Sequence, residues 1–180
     1  MQKIILALLI ITTSACGWQL RGSTAGEDKL SLAKPINLVI TTQDDHSPLI
    51  NSLRQALPSY KITEVASPSA ADYALSIGIE NQDKRTAGVG SDALTSAYEI
   101  IMTVDYSISR GAVPLTAMDT KASLTRTYNY NVNNANGAAQ EEALIIREMR
   151  RDLAQQLLRR LKALSSTSTT KTEPHAQTTP

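Results

Sequence analysis

Residues 95–109 read TSAYEIIMTVDYSIS, and their alternation decides the fold. Every second residue from Tyr98 to Ile108 is apolar, whereas the residues between them are mostly polar. Alternation with a period of two over so long a stretch predicts a half-buried antiparallel β-strand. Four other runs predict strands in the same way or through their content of β-branched residues. These runs are residues 36–41, 62–65, 72–82 and 120–132.

Two further stretches follow a helical period. Ser47 and Pro48 stand in the order typical of an N-cap and a first helical residue, and Pro58 ends the apolar repeat that follows them. Residues 139–164 repeat leucine, isoleucine and methionine at spacings of three and four, which predicts a long amphipathic helix. The order β-α-β-β-β-β-α predicts an α+β fold, a two-layer sandwich with two helices packed on one face of a mostly antiparallel sheet of four to five strands.

The other face of this sheet is predicted to be polar. Along three of the predicted strands, the residues that alternate with the apolar ones include hydroxyl, amide and carboxylate side chains. Such a face lies against water or against a polar partner. The residues that alternation places there are Ser76, Glu80, Thr103, Asp105, Thr125 and Asn129.

The chain begins with a segment typical of bacterial lipoprotein export. Lys3 precedes the apolar run of residues 4–11, and small residues then lead to Cys16, the only cysteine in the sequence. The run is too short to span a bilayer as a helix, and a single cysteine has no partner for a disulfide within the chain. We therefore expect residues 1–15 to be a signal peptide and Cys16 to receive a lipid anchor. The alternatives are a free thiol and an ordinary signal peptide.

Composition divides the chain into four segments. After the signal peptide, we expect a lipidated N-terminus and tether at residues 16–34, a folded domain at residues 35–164, and a disordered polar tail at residues 165–180. The sequence holds 18 basic and 17 acidic residues. Lys3 is the only charged residue removed with the signal peptide, so the remaining chain is balanced. That balance argues against nucleic acid as a partner.

Catalysis is poorly supported, and neither a metal nor a cofactor is expected. His175 lies in the tail and His46 in an acidic turn, and a lone cysteine provides no thiolate pair for zinc. Residues 88–92 contain two glycines but lack the lysine and the spacing of a phosphate-binding loop. Glu141 and Glu142 are expected to stabilise the start of the last helix rather than to act as an acid–base pair.

Two predicted loops are better candidates for binding. Residues 83–94 (DKRTAGVGSDAL) connect two long strands and exceed the usual length of a hairpin connection, and residues 131–137 (NVNNANG) follow the third. Long loops on a rigid sheet commonly carry binding sites. Lys84 and Arg85 are suited to an anionic head group through charge-assisted hydrogen bonds, and the alternative is a solvated pair of loop charges. Arg126 shares its strand face with apolar residues, so it is expected near the sheet end or paired.

Several segments together resemble the LptE family of lipopolysaccharide-assembly lipoproteins. Residues 16–22 (CGWQLRG) resemble the mature start of family members, and residues 97–104 (AYEIIMTV) resemble their central strand. Residues 126–128 (RTY) resemble the strand before the last helix, and residues 141–161 resemble that helix. The order and spacing of these segments carry the resemblance, which covers nearly the whole mature chain.

The resemblance implies a function that composition does not show. LptE proteins sit inside the outer-membrane β-barrel LptD in a 1:1 complex, help it assemble, plug its lumen and bind lipopolysaccharide on its way to the cell surface. A polar sheet face and polar loops suit the wet lumen of a barrel. Gly17, next to the lipid site, is not the aspartate that retains such lipoproteins at the inner membrane. The resemblance therefore implies the outer membrane.

One departure from the family concerns its ligand. Family members carry basic residues implicated in lipopolysaccharide binding in the loops before the central strand and before the last helix. Here Ser91 and Asn136 stand at those positions. Lys84, Arg85 and Arg126 remain as candidates for lipopolysaccharide binding. The alternative function is a free outer-membrane lipoprotein that binds an amphiphilic envelope ligand without a barrel, and an enzyme is not expected.

Overall fold

One sheet of seven strands organises the part of the chain that the computed structural model describes, residues 34–169. The strands are β1 (Ile36–Thr42), β2 (Ile62–Glu64), β3 (Tyr73–Ile77), β4 (Asn81–Val89), β5 (Thr95–Arg110), β6 (Val113–Pro114) and β7 (Thr120–Asn129). Their order is β2-β1-β3-β5-β4, and β6 and β7 also pair with β5. The predicted signal peptide, Cys16 and the tether through residue 33 lie outside the described residues, as does the tail from residue 170 onward.

The sheet is mostly antiparallel, as predicted, and it also contains two parallel pairs. β1 runs parallel to both β2 and β3, whereas β5 is antiparallel to β3, β4, β6 and β7. The parallel pair β1 and β2 arises because the helix α1 (Pro48–Ala56) connects them, and parallel neighbours need such a crossover. The α+β class is confirmed, while the strand count exceeds the predicted four to five because β4 and the short β6 are additional.

Both helices contribute to one core on one side of the sheet. The hydroxyl of Ser47 accepts a hydrogen bond from the Ile50 amide at 3.3 Å, which confirms the predicted N-cap of α1. The second helix, α2 (Ala135–Thr169), begins before residue 139 and extends beyond residue 164, the predicted bounds. The first residues of the predicted polar tail are therefore helical.

The alternation of the longest strand is confirmed. Every second residue of β5 from Ile100 to Ile108 is buried beneath the helices, while the residues that alternate with them are at least partly exposed. Fully buried leucines from β1 and β3 extend the same core toward α1. Residues of α2 that are fully buried are Met149, Leu153, Ala154, Leu157, Leu158 and Leu161. Leu144, predicted on the apolar face, is 48% exposed.

A one-residue bulge separates β3 from β4. Ile77 pairs with Tyr106, and the next paired residue, Asn81, lies opposite Thr103. The three residues 78–80 therefore face only two residues of β5. Because side chains alternate along a strand, one extra residue exchanges the two faces beyond it. The even-numbered residues of β4 near the bulge consequently point toward the helices.

The bulge overturns three sequence predictions. Glu80, predicted on the polar face, instead bonds Arg150 of α2. Ile79, predicted on the apolar face, is 68% exposed. Residues 83–94 are not one long loop, because β4 stays paired with β5 as far as Val89, with register shifts after Thr86, and leaves a short turn. The remaining residues predicted on the polar face are exposed or half-buried, and both helices of the described domain lie on the other side.

Candidate functional site

The strands β4, β5 and β7 form a three-stranded ribbon that positions the basic residues singled out from the sequence. Lys84 of β4 and Arg126 of β7 both lie opposite Ile100 of β5, so the three form one row on the helix side. Arg85 follows Lys84 in β4 and points to the open face, opposite Glu99. The structure thus brings Lys84 and Arg126 to one side of the sheet and places Arg85 on the other.

Lys84 contacts tyrosines and one carboxylate. Its Nζ lies 2.5 Å from Oε2 of Glu142, and the hydroxyl of Tyr128 donates to the same oxygen at 2.6 Å. The ammonium lies 4.3 Å from the ring centroid of Tyr98, which is within the range of a cation–π interaction. The ring of Tyr130 meets that of Tyr98 edge-on, with 5.1 Å between centroids. These five residues are called the tyrosine–lysine cluster below.

Hydrogen bonds set the charges of the tyrosine–lysine cluster. Burial opposes the charge of Lys84, but bonds to Glu142 and Tyr128 outweigh burial and raise the pKa of Lys84. Burial also opposes the charge of Glu142, yet the same network lowers the pKa of that carboxyl below its ordinary value of 4.5. Burial and the bond to Glu142 raise the pKa of Tyr128. At neutral pH the cluster therefore holds an ammonium, a carboxylate and a neutral phenol.

Arg85 and Arg126 are also paired, but they are more exposed than Lys84. Nε of Arg85 bonds Oε1 of Glu99, and Nη2 of Arg126 lies 2.8 Å from Oδ2 of Asp152 in α2. The two arginine side chains are 62% and 54% exposed, against 35% for Lys84. Exposed ion pairs contribute little to stability. These two arginines can therefore exchange a carboxylate for a phosphate at small cost.

Ser91 and Asn136, the two positions where the resemblance led us to expect basic residues, lie at one end of the ribbon. Ser91 lies in the turn between β4 and β5, and Asn136 is the second residue of α2. β7 ends opposite Ala97, and the amide of Tyr130 donates to the carbonyl of Ser96 at 2.8 Å, which brings the chain before α2 to that end. Both side chains are exposed, and the basic candidates lie farther along the strands.

Reasoning from the sequence did not identify the carboxylates that pair with Lys84 and Arg150. Glu142 was predicted to stabilise the first turn of its helix, but α2 begins at Ala135 and directs Glu142 toward Lys84. Nε of Arg150 lies 2.9 and 3.0 Å from the two carboxylate oxygens of Glu80. The residues of these two pairs are 58 and 70 positions apart in sequence. No local pattern could have signalled contacts over such separations.

A second charged group fixes the opposite edge of the sheet. Nη2 of Arg54 in α1 lies 2.6 Å from Asp45 and 2.9 Å from Glu64 of β2. Hydrogen bonds to Glu64 and Asp45 raise the pKa of Arg54. The group holds the turn before α1, where the backbone amide of His46 donates to Asp44 at 3.1 Å. The geometry therefore favours a structural role for the turn that contains His46.

The described domain offers charged side chains as its most evident binding chemistry. Across residues 34–169, no group of three or more histidine, cysteine or acidic side chains is placed to hold a metal ion. Neither helix of that stretch combines the length and the apolar character needed to cross a membrane. Paired cations on a polar and rigid sheet are suited to binding anionic groups.

Solved bacterial lipoproteins share this fold. The solution structure of lipoprotein B from Nitrosomonas europaea has a TM-score of 0.67, with 19% identity over 88% of this chain and 99% of that chain. The crystal structure of rare lipoprotein B from Shewanella oneidensis has a TM-score of 0.62, with 20% identity over 74% of this chain and 97% of that chain. The domain therefore has a fold found in a class of bacterial lipoproteins.

The family follows from the sequence match. The family model of LptE, described as lipopolysaccharide-assembly, matches residues 34–161, and the chain belongs to this family. A protein from Yersinia enterocolitica named LPS-assembly lipoprotein LptE is 26% identical, over 88% of this chain and 73% of its own length. Its namesake from Photorhabdus laumondii is 28% identical, over 88% and 83%. The resemblance inferred from the sequence is confirmed.

Proposed function

We propose that the protein is an outer-membrane lipoprotein that acts as plug and assembly factor for an LptD-type β-barrel in lipopolysaccharide transport. The proposal includes a 1:1 complex with the barrel and insertion of lipopolysaccharide at the cell surface. One observation carries it: the LptE family model spans residues 34–161, from before β1 through most of α2. The whole domain, rather than a fragment of it, is therefore built on the family pattern.

The surface chemistry of the domain supports a place inside a barrel. The open sheet face presents hydroxyl and charged side chains, and the lumen of a transmembrane barrel is polar and wet. Three ion pairs join α2 to the sheet: Lys84 to Glu142, Arg126 to Asp152 and Arg150 to Glu80. They connect the two layers at the ribbon, and a plug needs such a rigid body.

The location is proposed from the N-terminal sequence. Cys16 is the proposed lipid site, and Gly17 in place of aspartate favours sorting to the outer membrane. Lipid attachment there would hold the domain on the periplasmic side, where its barrel assembles. The role requires no catalysis and no cofactor.

Lipopolysaccharide binding is proposed for Lys84, Arg85 and Arg126. All three are basic, and lipopolysaccharide presents phosphates that guanidinium and ammonium groups bind by charge-assisted hydrogen bonds. Each cation has a carboxylate partner, so binding would proceed by exchange of that partner. Arg85 and Arg126 are the more accessible of the three.

Co-purification tests the barrel partner. The full-length lipoprotein, extracted from outer membranes in mild detergent, is expected to bring down an outer-membrane barrel in equal amount. Recovery of the protein alone, while other barrel complexes in the same extract stay intact, would contradict the proposal. If depletion of the protein also leaves barrel folding normal, the free lipoprotein that binds an amphiphile becomes the better account.

Charge removal tests the ligand site. The variant K84Q/R85Q/R126Q should bind lipopolysaccharide more weakly while the barrel complex survives. The matched control K61Q/K121Q/R160Q removes the same number of positive charges from other exposed positions. Equal binding by wild type and the first variant would exclude these three residues as the site. Equal loss in both variants would show an effect of net charge alone.

A further inference from the structure

The arginines of the domain fall into two groups. Each arginine of the first group has a partner in the fold: Arg54, Arg85, Arg126 and Arg150 bond carboxylates, and Arg110 lies over the ring of Tyr73. The second group is exposed on α2 and has no carboxylate within ion-pair distance among the described residues. This second group consists of Arg147, Arg151, Arg159 and Arg160.

Three arginines of the second group form one row. Arg147, Arg151 and Arg159 follow a spacing of four and eight residues, with Gln155 between the last two. Residues four apart are neighbours on a helix surface, so the four side chains lie on a continuous stripe. Twelve residues of helix rise about 18 Å. Gln155 accepts a hydrogen bond from Nη1 of Arg159 at 3.4 Å and adds no charge. These four residues are called the arginine row.

The arginine row works against the isolated fold. Like charges four residues apart on a helix repel each other, and Arg147 and Arg151 stand in that relation. The helix does place carboxylates where they relieve other arginines, as Asp152 does for Arg126. The repulsion in the row is left without a carboxylate within ion-pair distance. An external anionic surface that met the row would relieve this repulsion.

The shape of the row indicates which anionic surface that is. Its three arginines stand on the outer side of a helix and are exposed, so they do not enclose a single ligand. The groove found in the described domain lies elsewhere, beside β2, and is lined by Leu57, Pro58 and Ile62 among others. An extended line of cations fits a broad surface of laterally mobile anions, and a leaflet that contains anionic lipids is such a surface.

We propose that the arginine row docks on the anionic phospholipid headgroups of the membrane that carries the lipid anchor. The inference concerns the lipoprotein before it enters a barrel, because a barrel wall would separate an enclosed domain from the leaflet. It does not depend on lipopolysaccharide. Each basic residue close to an anionic leaflet strengthens binding, and the attraction falls off within a Debye length. Three arginines give weak binding alone, and a lipid anchor makes weak binding effective because it keeps the row near the surface.

Vesicle co-sedimentation tests the proposal. The full chain carrying Cys16→Ala, exported through an ordinary signal peptide, removes the contribution of the anchor. It should bind vesicles of phosphatidylethanolamine and phosphatidylglycerol more strongly than vesicles of phosphatidylcholine, and added salt should weaken that binding. In the same background, R147Q/R151Q/R159Q should lower partitioning by about tenfold or more. Its thermal midpoint should not fall, because glutamine removes a repulsion and preserves the helix.

The matched control is again K61Q/K121Q/R160Q, which lowers the net charge equally from outside the row. It should retain most of the binding to phosphatidylglycerol vesicles. Equal loss in the control would show that only net charge matters and would overturn the proposal. Absence of binding to phosphatidylglycerol vesicles at low salt would also overturn the proposal. Loss of binding to lipopolysaccharide, with phosphatidylglycerol binding unchanged in the row variant, would assign the row to that other ligand instead.

Discussion

The two halves of the sheet are joined to the helical layer by different forces. On the side of β1, β2 and β3, fully buried aliphatic side chains meet α1, among them Leu38, Leu53 and Leu75. In the ribbon of β4, β5 and β7, the margins of the core are closed by ion pairs to α2 and by the tyrosine–lysine cluster. The first half is held by burial that water cannot replace. The second is held by ion pairs, in which a charged ligand or protein partner can replace one of the two side chains.

Leu53→Ala should have the largest effect and would test the aliphatic half. Leu53 is 0% exposed between α1 and the sheet, so truncation leaves a cavity and costs about 2–5 kcal/mol of unfolding free energy. Urea denaturation of the domain measures this loss. A cost comparable to that of an exposed surface substitution would show that α1 does not anchor this half.

Glu80→Gln should have a smaller effect in the ribbon half. The carboxylate is 12% exposed and bonds Arg150 of α2, so its neutralisation should cost about 1–2 kcal/mol. The matched control is Asp105→Asn, which neutralises a carboxylate paired with Lys121 at 53% exposure. The control should cost under about 0.5 kcal/mol. Equal losses in the two variants would show that the Glu80–Arg150 ion pair does not hold the segment before β4 against α2.

Glu142→Gln should change the pH dependence of stability. The pKa of Glu142 is lower in the folded state than its ordinary value of 4.5. Its contribution is therefore present above pH 4.5 and is lost as the pH falls through the folded value. At neutral pH the variant should lose about 1 kcal/mol or less, and the difference from wild type should shrink in acid. Thermal midpoints of both proteins between neutral and acid pH measure it, and a constant difference would contradict the lowered pKa.

The aliphatic half could be predicted from the sequence more fully than the ribbon. A run of β-branched residues identified β1, and Ser47 with Pro48 identified the start of α1, because these signals lie within a few neighbouring residues. In the ribbon, period-two alternation identified β5 in the same local way. The parallel pairing of β1 with its neighbours could not be predicted, since it depends on how α1 crosses over the sheet. The ribbon depends on a bulge that leaves composition unchanged, and on partners such as Glu142 that meet Lys84 only after folding.

The same limit applies to the candidate site. Lys84, Arg85 and Arg126 were singled out for their charge, and the ribbon does contain all three. Their distribution over two faces was not foreseen, because Lys84 and Arg85 were predicted in a loop and the alternation of a strand was not applied to them. The bulge at residues 78–80 then decides that Lys84 is the one on the helix side. The lipid site at Cys16 stays a prediction from the export signal.

The bulge at residues 78–80 also bears on how this family evolves. Insertion or deletion of a single codon there would exchange the faces of β4 while leaving its pairing with β5 possible. Two homologues can then share a basic residue in the same alignment column and present it to opposite surfaces. Comparisons of ligand-binding positions across the family should therefore be indexed from β5 outward, by strand pairing, rather than counted along the chain.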